Sequence, residues 1–377
     1  MRVFQIITFI YLVCCSAFNI QAKEEVEHRV LMVLSSYGEK SDQGELLKPG
    51  YEFDELTKSY IVFKHYGVTV DIASPSGGKV VADEYDPKKP YNQLFLNDKQ
   101  AMRHLNNTLK LTDVDTSRYS AVFVVGGKGP MFDLHQDKQL RTIIRDVYEQ
   151  GGIASAVCHG PAALVNVTLS DGSYLIKGKR VNGFTNREEA AFGKKWTQQF
   201  AFLLEDKLRE RGALFESVDI MLNHVAQDGR LITGQNPFST VDTALAVVHS
   251  LGFAPKPFTT FKDDATMKIV ARILDNDEFA VKEFSQQAAK YQVELAAMYG
   301  FYRFKLAKAG DDITGAVKLM QLTYKTLKAA PLDLALAKGL LQLNKAGEAK
   351  EVLDALLKTT PDMEEAQALL KKVTTAL

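Results

Sequence analysis

Cysteine is scarce in this chain of 377 residues. Only three cysteines are present, and two of them, Cys14 and Cys15, lie in an apolar N-terminal stretch. If that stretch is removed on export, the mature chain carries Cys158 alone, and a single thiol cannot form an internal disulfide. A structural disulfide is therefore not expected, and a chemical role for Cys158 becomes the stronger hypothesis.

An excess of charge of one sign is also lacking. Lysine plus arginine and aspartate plus glutamate both number 46, so the formal net charge is zero. This balance gives no electrostatic attraction to nucleic acid or to an anionic membrane surface. Hydrophobic residues make up 46% of the chain, which is enough for buried cores and excludes an intrinsically disordered protein.

Sequence patterns for common cofactors are missing. The seven histidines are scattered, and no spacing of histidine, cysteine and carboxylate residues is typical of a metal site. The glycine-rich stretch Gly126–Gly129 lacks the helix-opening pattern of a dinucleotide fingerprint or a phosphate-binding loop. We therefore predict that the protein uses neither a metal nor a soluble cofactor.

The N-terminus has the pattern of a secretory signal peptide. Arg2 precedes an uncharged and mostly apolar run, Val3–Phe18, and the first acidic cluster follows it. The run is short for a membrane span, so a membrane anchor is the second interpretation, and lipid attachment at Cys14 or Cys15 is the third. We predict a signal peptide over residues 1–22 and a periplasmic protein.

Strand-like and helix-like segments alternate from Arg29 onward. Strands are predicted over Val30–Ser35, Val68–Ala73, Ser120–Val125, Ile153–Val157 and Leu231–Thr233. Helices are predicted over Glu55–Tyr66, Gln139–Gln150, Trp196–Arg211 and Asn236–Ser250. This alternation predicts an α/β domain with a mostly parallel sheet sandwiched by helices. Ligands bind such domains at the carboxyl ends of the strands.

The stretch Gly151–Leu164 carries the most informative pattern. Its strand-like run ends at Cys158, and Gly160 and Pro161 then predict an abrupt turn into a helix. A thiol at such an elbow lies near the positive end of the helix dipole, which favours the thiolate. Cys158 is therefore a candidate nucleophile with His159 beside it, and the alternative is an inert buried cysteine.

Four motifs in a fixed order resemble the PfpI/ThiJ superfamily over about His28 to Leu251. They are DIASPSGG (Asp71–Gly78), GGKG (Gly126–Gly129), AVCHGPAAL (Ala156–Leu164) and LITGQNP (Leu231–Pro237). Within that superfamily the chain is similar to the branch of heat-shock chaperones and glutathione-independent glyoxalases (glyoxalase III), which share the class I glutamine amidotransferase-like fold. The resemblance implies a flavodoxin-like parallel sheet with a nucleophile elbow.

The same resemblance implies roles for three residues. It assigns the nucleophile to Cys158, the neighbouring histidine to His159 and an acid on the first helix to Glu55. A buried carboxyl group beside a thiolate tends to stay protonated, and it can donate a hydrogen bond or act as a general acid/base. We therefore expect Glu55 to carry the proton, whereas Glu52 and Asp54 are expected to be ordinary exposed helix carboxylates.

Two further parts of the implied site depart from the family pattern. Backbone N–H groups of Gly126, Gly127 and Lys128 are expected to cradle an oxyanion, but many members of this branch have histidine in place of Lys128. The acidic residue that orients the histidine aligns with Asn186, which cannot balance the charge of an imidazolium. Glu188 is the alternative third member. We expect His159 to be an auxiliary group, with Cys158 and Glu55 in the central roles.

The composition changes after Gly252. The stretch Phe253–Phe261 resembles a linker, and Asp263–Leu377 is almost entirely helix-forming. Lys328–Pro331 and Lys358–Pro361 begin similar acidic, leucine-rich helices, a loose fit to tetratricopeptide repeats, which recur about every 34 residues. A plain helical bundle is the alternative. The predicted organisation is a signal peptide over 1–22, an α/β domain over 23–252, a linker over 253–262 and a smaller all-α domain over 263–377.

Two classes of function follow. The resemblance implies an enzyme in which Cys158 attacks the aldehyde carbon of a small α-oxoaldehyde such as methylglyoxal, Glu55 moves a proton between adjacent carbons, and hydrolysis releases a hydroxy acid. The other class is a holdase chaperone or thiol-based stress sensor, and a deglycase or a peptidase-like or amidase-like hydrolase also fits the superfamily. We favour the enzyme because Glu55 accompanies Cys158. The expected partners are a small aldehyde, a second copy of the chain and a protein or peptide on the C-terminal helices.

Overall fold

The computed structural model describes residues 27–376. The predicted signal peptide over 1–22 lies outside these residues. Within the part of the chain that is described, no helix combines the length and the apolar character needed to cross a membrane.

A seven-stranded sheet organises the first two thirds of the chain. The strands of the described residues are β1 (Arg29–Val33), β2 (Glu39–Lys40), β3 (Leu46–Lys48), β4 (Thr69–Ser74), β5 (Leu109–Lys110), β6 (Ala121–Val124), β7 (Ile153–Val157), β8 (Arg180–Val181), β9 (Leu214–Phe215), β10 (Val225–Asp228) and β11 (Leu231–Gly234). Strands β2 and β3 form one separate pair, and β8 and β9 form another. The sheet has the order β10-β11-β7-β6-β1-β4-β5. Every neighbouring pair is parallel except β10 and β11. The prediction of a mostly parallel sheet is confirmed.

Helices flank this sheet and then form a separate all-helical region. They are α1 (Phe53–His65), α2 (Pro90–Leu96), α3 (Lys99–Asn106), α4 (Lys138–Glu149), α5 (Asn186–Phe192), α6 (Leu204–Glu210), α7 (Thr240–Ser250), α8 (Lys262–Leu274), α9 (Glu278–Gln286), α10 (Val293–Lys305), α11 (Thr314–Tyr324), α12 (Ala330–Gln342), α13 (Ala346–Thr359) and α14 (Glu364–Ala376). We call residues 29–250 the α/β region and residues 262–376 the helical region.

The central strands are buried along their whole length. All residues of β6 and β7 are buried, and both strands are short runs of apolar and small residues. A parallel strand covered on both faces needs such a run, because neither face can carry side chains that require water. The carboxyl ends of β6 and β7 therefore bring two loops together, the glycine loop at Gly126 and the turn at Cys158.

Two predicted helices differ from the structure. The single helix predicted over Trp196–Arg211 is wrong: a 3₁₀ helix over Lys194–Gln199 ends at Phe200, which is extended, and α6 starts only at Leu204. The apolar spacing reflects aromatic packing instead, because the ring of Phe200 contacts those of Phe132 and His159. The helix predicted after the elbow is only a five-residue 3₁₀ helix.

The segment between α7 and α8 packs against the α/β region although its sequence resembles a linker. Phe253 and Phe258 contact the core, and the backbone N–H of Lys256 donates to the hydroxyl of Tyr66 at 3.0 Å. This segment therefore fixes where α8 starts.

The helical region contacts the α/β region through a buried ionic cluster. The ammonium of Lys58 on α1 lies 2.8 Å from carboxylate oxygens of both Asp263 and Asp264 in the first turn of α8. Apolar side chains of α8, α10 and α11 also form one cluster with Ile220 and Met221 of the α/β region. The tetratricopeptide-like character of α12 to α14 stays a prediction.

Candidate active site

Cys158 occupies a strained turn directly after β7. Its φ angle is 60°, in the left-handed region where a residue with a Cβ is strained by about 1–3 kcal/mol. Two backbone hydrogen bonds hold it there. Its N–H donates to the carbonyl of Gly234 at 2.9 Å, and its carbonyl accepts from the N–H of Phe184 at 2.8 Å. The sharp turn predicted at the end of this strand is present.

A cavity of about 250 Å³ lies at this turn. Cys158 is only 4% exposed to solvent, yet it lines the cavity, so the residue is shielded from bulk water and faces a space that a small molecule can fill. Polar residues on the lining include Glu52, Lys128, His159 and Glu188. Among residues 27–376, no group of three or more histidine, cysteine, aspartate or glutamate side chains is arranged to hold a metal ion.

Glu55 lies behind Cys158, away from solvent. It is fully buried in the first turn of α1, and its Oε2 accepts a hydrogen bond from the N–H of Gly126 at 2.7 Å. Its Oε1 has no hydrogen-bond partner among the described residues. Burial, reinforced by the charge of Glu52, raises the pKa of Glu55 well above its usual range, so this carboxyl group stays protonated at neutral pH.

The thiol of Cys158 is not ionised by its surroundings alone. Burial raises the pKa of Cys158 well above its usual range, a charged Glu55 would raise it further, and a hydrogen bond from the N–H of Gly127 opposes the shift. The expectation that a helix dipole favours the thiolate is therefore wrong, since no α-helix follows the elbow and the sulfur is desolvated. A protonated Glu55 removes the opposing charge and can donate its hydrogen to the sulfur.

A histidine and a carboxylate lie on the other side of the sulfur. Nδ1 of His159 is 3.5 Å from Sγ of Cys158, and Nε2 is 2.6 Å from Oε1 of Glu189. Although burial alone would raise it, the hydrogen bond and charge of His159 lower the pKa of Glu189. A charged Glu189 accepts a hydrogen bond from the Nε2–H of His159. Nδ1 then carries no proton and can take up the proton of the thiol. The ring of Phe184 packs on the imidazole at 4.5 Å between centroids.

The partner of the histidine is therefore neither of the two predicted residues. Asn186 is the first residue of α5, and its side chain donates to Asp206. Glu188 forms a capping box with Thr185, so the carboxylate of Glu188 binds Thr185 and not His159. The capping pattern Thr-x-x-Glu is legible in the sequence and commits Glu188 to the helix end. It thereby leaves the next residue, Glu189, as the candidate.

The predicted oxyanion cradle is smaller than expected. The N–H of Gly126 is occupied by Glu55, so Gly126 cannot contribute to it. Gly127 needs its glycine because φ is 88° and a Cβ would approach the backbone nitrogen of Glu52 to 2.4 Å. Although burial opposes it, the charges of Asp83 and Glu52 raise the pKa of Lys128, so a cation lines the cavity.

A comparison with known proteins assigns the α/β region. A model of the DJ-1/PfpI family matches residues 46–250. The chain belongs to the DJ-1/PfpI family. It is 32% identical over 236 residues to the glutathione-independent glyoxalase hsp3102 of Schizosaccharomyces pombe, a match that covers 60% of this chain and 98% of the relative. It is 33% identical over 240 residues to glyoxalase 3 of Candida albicans, a match that covers 58% of this chain and 97% of that relative.

Solved structures agree with this assignment. Glyoxalase III from Candida albicans matches with a TM-score of 0.54 and 31% identity over 59% of this chain and 97% of that chain. Rapid Encystment Protein 24 kDa from Francisella tularensis matches with a TM-score of 0.55 and 35% identity over 60% of this chain and 100% of that chain. All site residues predicted from the sequence lie within the DJ-1/PfpI match, whereas the cavity residue Met298 lies on α10, beyond it.

The DJ-1/PfpI domain of this chain contains one cavity carboxylate that sequence reasoning missed. Glu52, predicted to be exposed, lines the cavity, and burial together with the charges of Asp54 and Asp83 raises its pKa to about 7. Asp54 is not a free carboxylate either, because it accepts hydrogen bonds from Asn92 and Tyr91. No local pattern distinguishes these acids, since their burial depends on residues remote in sequence.

Proposed function

We propose that the protein is a cysteine-dependent, glutathione-independent glyoxalase that converts small α-oxoaldehydes such as methylglyoxal to 2-hydroxy acids. The observation that carries this proposal is a thiol that lines a cavity, Cys158, with a protonated Glu55 on one side and the His159–Glu189 pair on the other. Relatives over the same region are named glutathione-independent glyoxalases, which supports the same reaction.

The first step forms a hemithioacetal. Nδ1 of His159 accepts the thiol proton, and Sγ of Cys158 bonds to the aldehyde carbon while the carbonyl π pair moves to oxygen. We assign the stabilisation of the developing negative charge to two donors, the ammonium of Lys128 on the cavity lining and the N–H of Gly127 beside the sulfur. The imidazolium then protonates the alkoxide. Glu55 keeps its proton throughout and donates a hydrogen bond to the sulfur.

The second step moves a proton between adjacent carbons. A base removes the hydrogen of the former aldehyde carbon as a proton, the ketone oxygen is protonated to give the enediol, and the same base returns its proton to the neighbouring carbon. The hydroxyl group on the former aldehyde carbon gives up its proton as that carbon becomes the thioester carbonyl, which replaces the proton taken up by the ketone oxygen. We assign this role to Glu52 and not to Glu55, because Glu52 lines the cavity whereas Glu55 is completely buried behind the sulfur. A carboxyl group with a pKa of about 7 suits a group that both takes and gives a proton near neutral pH.

Hydrolysis completes the cycle. The proton shift oxidises the aldehyde carbon to a thioester and reduces the ketone to an alcohol, so no external oxidant or reductant is consumed. Water then adds to the thioester, the carbon–sulfur bond breaks, and Cys158 regains its proton as the 2-hydroxy acid leaves. One water molecule is the only co-reactant.

The reaction is tested with the purified chain in the absence of glutathione. Loss of methylglyoxal and formation of lactate are followed for the wild type, Cys158→Ser and Glu55→Gln. We expect Cys158→Ser to abolish turnover. Glu55→Gln should lower kcat/KM at least about tenfold, because it replaces the carboxylic-acid donor to the sulfur with a weaker amide donor, and a hydrogen bond to a charged group is typically worth about 1.5–3 kcal/mol. Equal activity of the three proteins would refute the enzyme. Suppression of client aggregation that survives Cys158→Ser would instead favour a chaperone.

Export is a separate part of the proposal. The basic residue and apolar run at the N-terminus support a cleaved signal peptide and a periplasmic location. Cells that express the full chain are fractionated, and the mass of the protein is measured in each fraction. We expect a periplasmic protein that lacks about the first 22 residues, by the usual length of such signals. A full-length mass in the cytoplasm would contradict the proposal.

A further inference from the structure

The helical region forms part of the cavity. Met298 on α10 lines it, although the family match ends before this helix. Met298 is 40% exposed, so its side chain bridges the cavity and the surface. The helical region therefore contributes directly to the space in which a substrate of Cys158 would bind.

Helix α10 also supports two cavity residues of the α/β region. The ring of Phe192 packs edge-on against that of Tyr302 at 4.9 Å between centroids. Met221 belongs to the apolar cluster that contains Tyr299 and other residues of α8 and α10. The φ angle of Met221 is 60°, which is a strained value. A hydrogen bond from the N–H of Met221 to the carboxylate of Glu188 at 2.9 Å stabilises this conformation.

Charged contacts fix α10 against the same loop. Asp219, two positions before Met221, forms an ion pair with Arg303 at 2.9 Å and accepts a hydrogen bond from Tyr299 at 3.2 Å, both on α10. Arg187 at the start of α5 binds the other oxygen of Asp219 at 3.0 Å. The positions of Met298, the loop at Met221 and α5 are therefore linked.

The cavity lining is chemically divided. Close to the sulfur it is polar, with Glu52, Lys128 and His159. The remaining lining contains Glu188, Asn236, Pro237 and five larger apolar side chains. We call these five the apolar wall: Phe184, Phe192, Met221, Phe238 and Met298. The dicarbonyl group of a substrate matches the polar side, and its substituent would contact the apolar wall. The methyl group of methylglyoxal is too small to cover five such side chains.

We propose that Met298 and the helical region adapt the site to α-oxoaldehydes that carry a bulky apolar substituent, either an aryl or a branched alkyl group. Met298 is then a specificity-determining residue supplied from outside the family domain. This inference rests on the proposed glyoxalase function. Each methylene that an apolar pocket accommodates is worth about 10- to 200-fold in selectivity. We therefore expect kcat/KM for phenylglyoxal to exceed that for methylglyoxal at least about tenfold.

The test compares the two substrates in the full chain with and without a charge in the apolar wall. Met298→Glu should lower the ratio of kcat/KM for phenylglyoxal to kcat/KM for methylglyoxal at least about tenfold. The reason is that an apolar substituent would have to remove water from the new carboxylate, which is costly. The control is Phe279→Glu on α9, where a side chain that is 78% exposed is replaced by the same charge away from the cavity lining. This control should leave the ratio unchanged.

A binding measurement separates failure of this inference from failure of the proposed function. Mandelate and lactate, the products expected from the two aldehydes, are titrated calorimetrically into Cys158→Ser with and without Met298→Glu. Tighter binding of mandelate that is lost in the double variant supports the apolar wall even if no aldehyde is turned over. The inference is overturned if mandelate binds no better than lactate, or if Met298→Glu leaves both the kinetic and the binding ratios unchanged.

Discussion

At the scale of single residues, the site depends on which carboxyl group serves which neighbour. Cys158 and His159 could be located from the sequence because a short motif surrounds them, whereas Glu55 was assigned only by the family resemblance. Glu189 could have been found as well, since the capping pattern commits Glu188 to the helix end. Glu52 could not, because its pKa is raised partly by Asp83, and nothing in the sequence indicates that these two carboxylates lie close together.

The pairing of His159 with Glu189 gives the first prediction. Glu189→Gln keeps the shape of the side chain but removes the charge that stabilises the imidazolium, so kcat/KM should fall about 10²-fold or more. Asn186→Ala, at the position first aligned with this role, is the control and should stay within about twofold of the wild type. Steady-state kinetics of the two variants decide the assignment. A larger loss for Asn186→Ala would restore the sequence-based one.

The raised pKa of Glu52 gives a prediction about pH. Its pKa is about 7 in the folded protein and near 4.5 in the unfolded chain, so folding binds a proton in that window. The folded state is therefore favoured at low pH, and this contribution is lost as the pH rises through 7. Glu52→Gln should increase the free energy of unfolding at pH 8 by about 1–3 kcal/mol. The gain should be much smaller at pH 5, and it should vanish only below about pH 4.5, where both states are protonated.

Chemical denaturation at pH 5 and pH 8 measures this difference. The matched control is Glu351→Gln, which removes a carboxylate from an exposed position on α13. Glu351→Gln should change the free energy of unfolding only slightly, and by the same amount at pH 5 and at pH 8. Parallel pH profiles for Glu52→Gln and the wild type would show that Glu52 is not held in its neutral form.

At the scale of elements, the strands were more predictable than the helices. A strand buried on both faces has few compositional options, and β7 was predicted with its observed bounds. The helix predicted over Trp196–Arg211 failed because Phe200 turns toward the imidazole of His159. Helical spacing of apolar residues cannot distinguish a continuous helix from a bent segment whose aromatic rings pack on a functional site.

The close approach of β6, β7 and α1 makes Gly126 irreplaceable. A Cβ at Gly126 would lie 2.7 Å from Oε2 of Glu55 and 2.8 Å from Cβ of Cys158. Gly126→Ala should therefore separate the acid from the thiol, with a loss of about 1–3 kcal/mol in stability from overpacking and a clear loss of turnover. Gly347→Ala on α13, where nothing lies within 4 Å, is the control and should be neutral or slightly stabilising. Wild-type kinetics in Gly126→Ala would contradict this geometry.

At the scale of the whole molecule, the sequence shows where the α/β region ends and the helical region begins, but it does not show how the two regions contact each other. The change in composition after Gly252 indicates a helical region, yet no local pattern pairs Lys58 with acids more than 200 positions away. Although burial opposes it, the charges of Asp264 and Asp263 raise the pKa of Lys58, so its ammonium is charged. Burial raises the pKa of Asp264 to about 7, so this cluster is not fully ionised at neutral pH.

Removal of the cation from this cluster should be costly. Lys58→Met keeps most of the side-chain volume but leaves Asp263 and Asp264 buried without a counter-charge, and a broken buried pair typically costs about 3–5 kcal/mol. The matched control is Lys64→Met on the same helix, which removes a largely exposed pair with Asp98 and should cost less than about 1 kcal/mol. Both values are measured as free energies of unfolding in urea.

The triple variant Lys58→Met with Asp263→Asn and Asp264→Asn shows whether the loss is electrostatic. If the uncompensated carboxylates cause it, replacement of both by neutral amides should recover a large part of the stability. The same experiment reports on the site, because Lys58 lies one helical turn beyond Glu55 on α1. Movement of α1 in Lys58→Met should then lower kcat/KM together with stability, and the triple variant should regain both. A triple variant that is no more stable than Lys58→Met would mean that the uncompensated charges of Asp263 and Asp264 do not cause the loss.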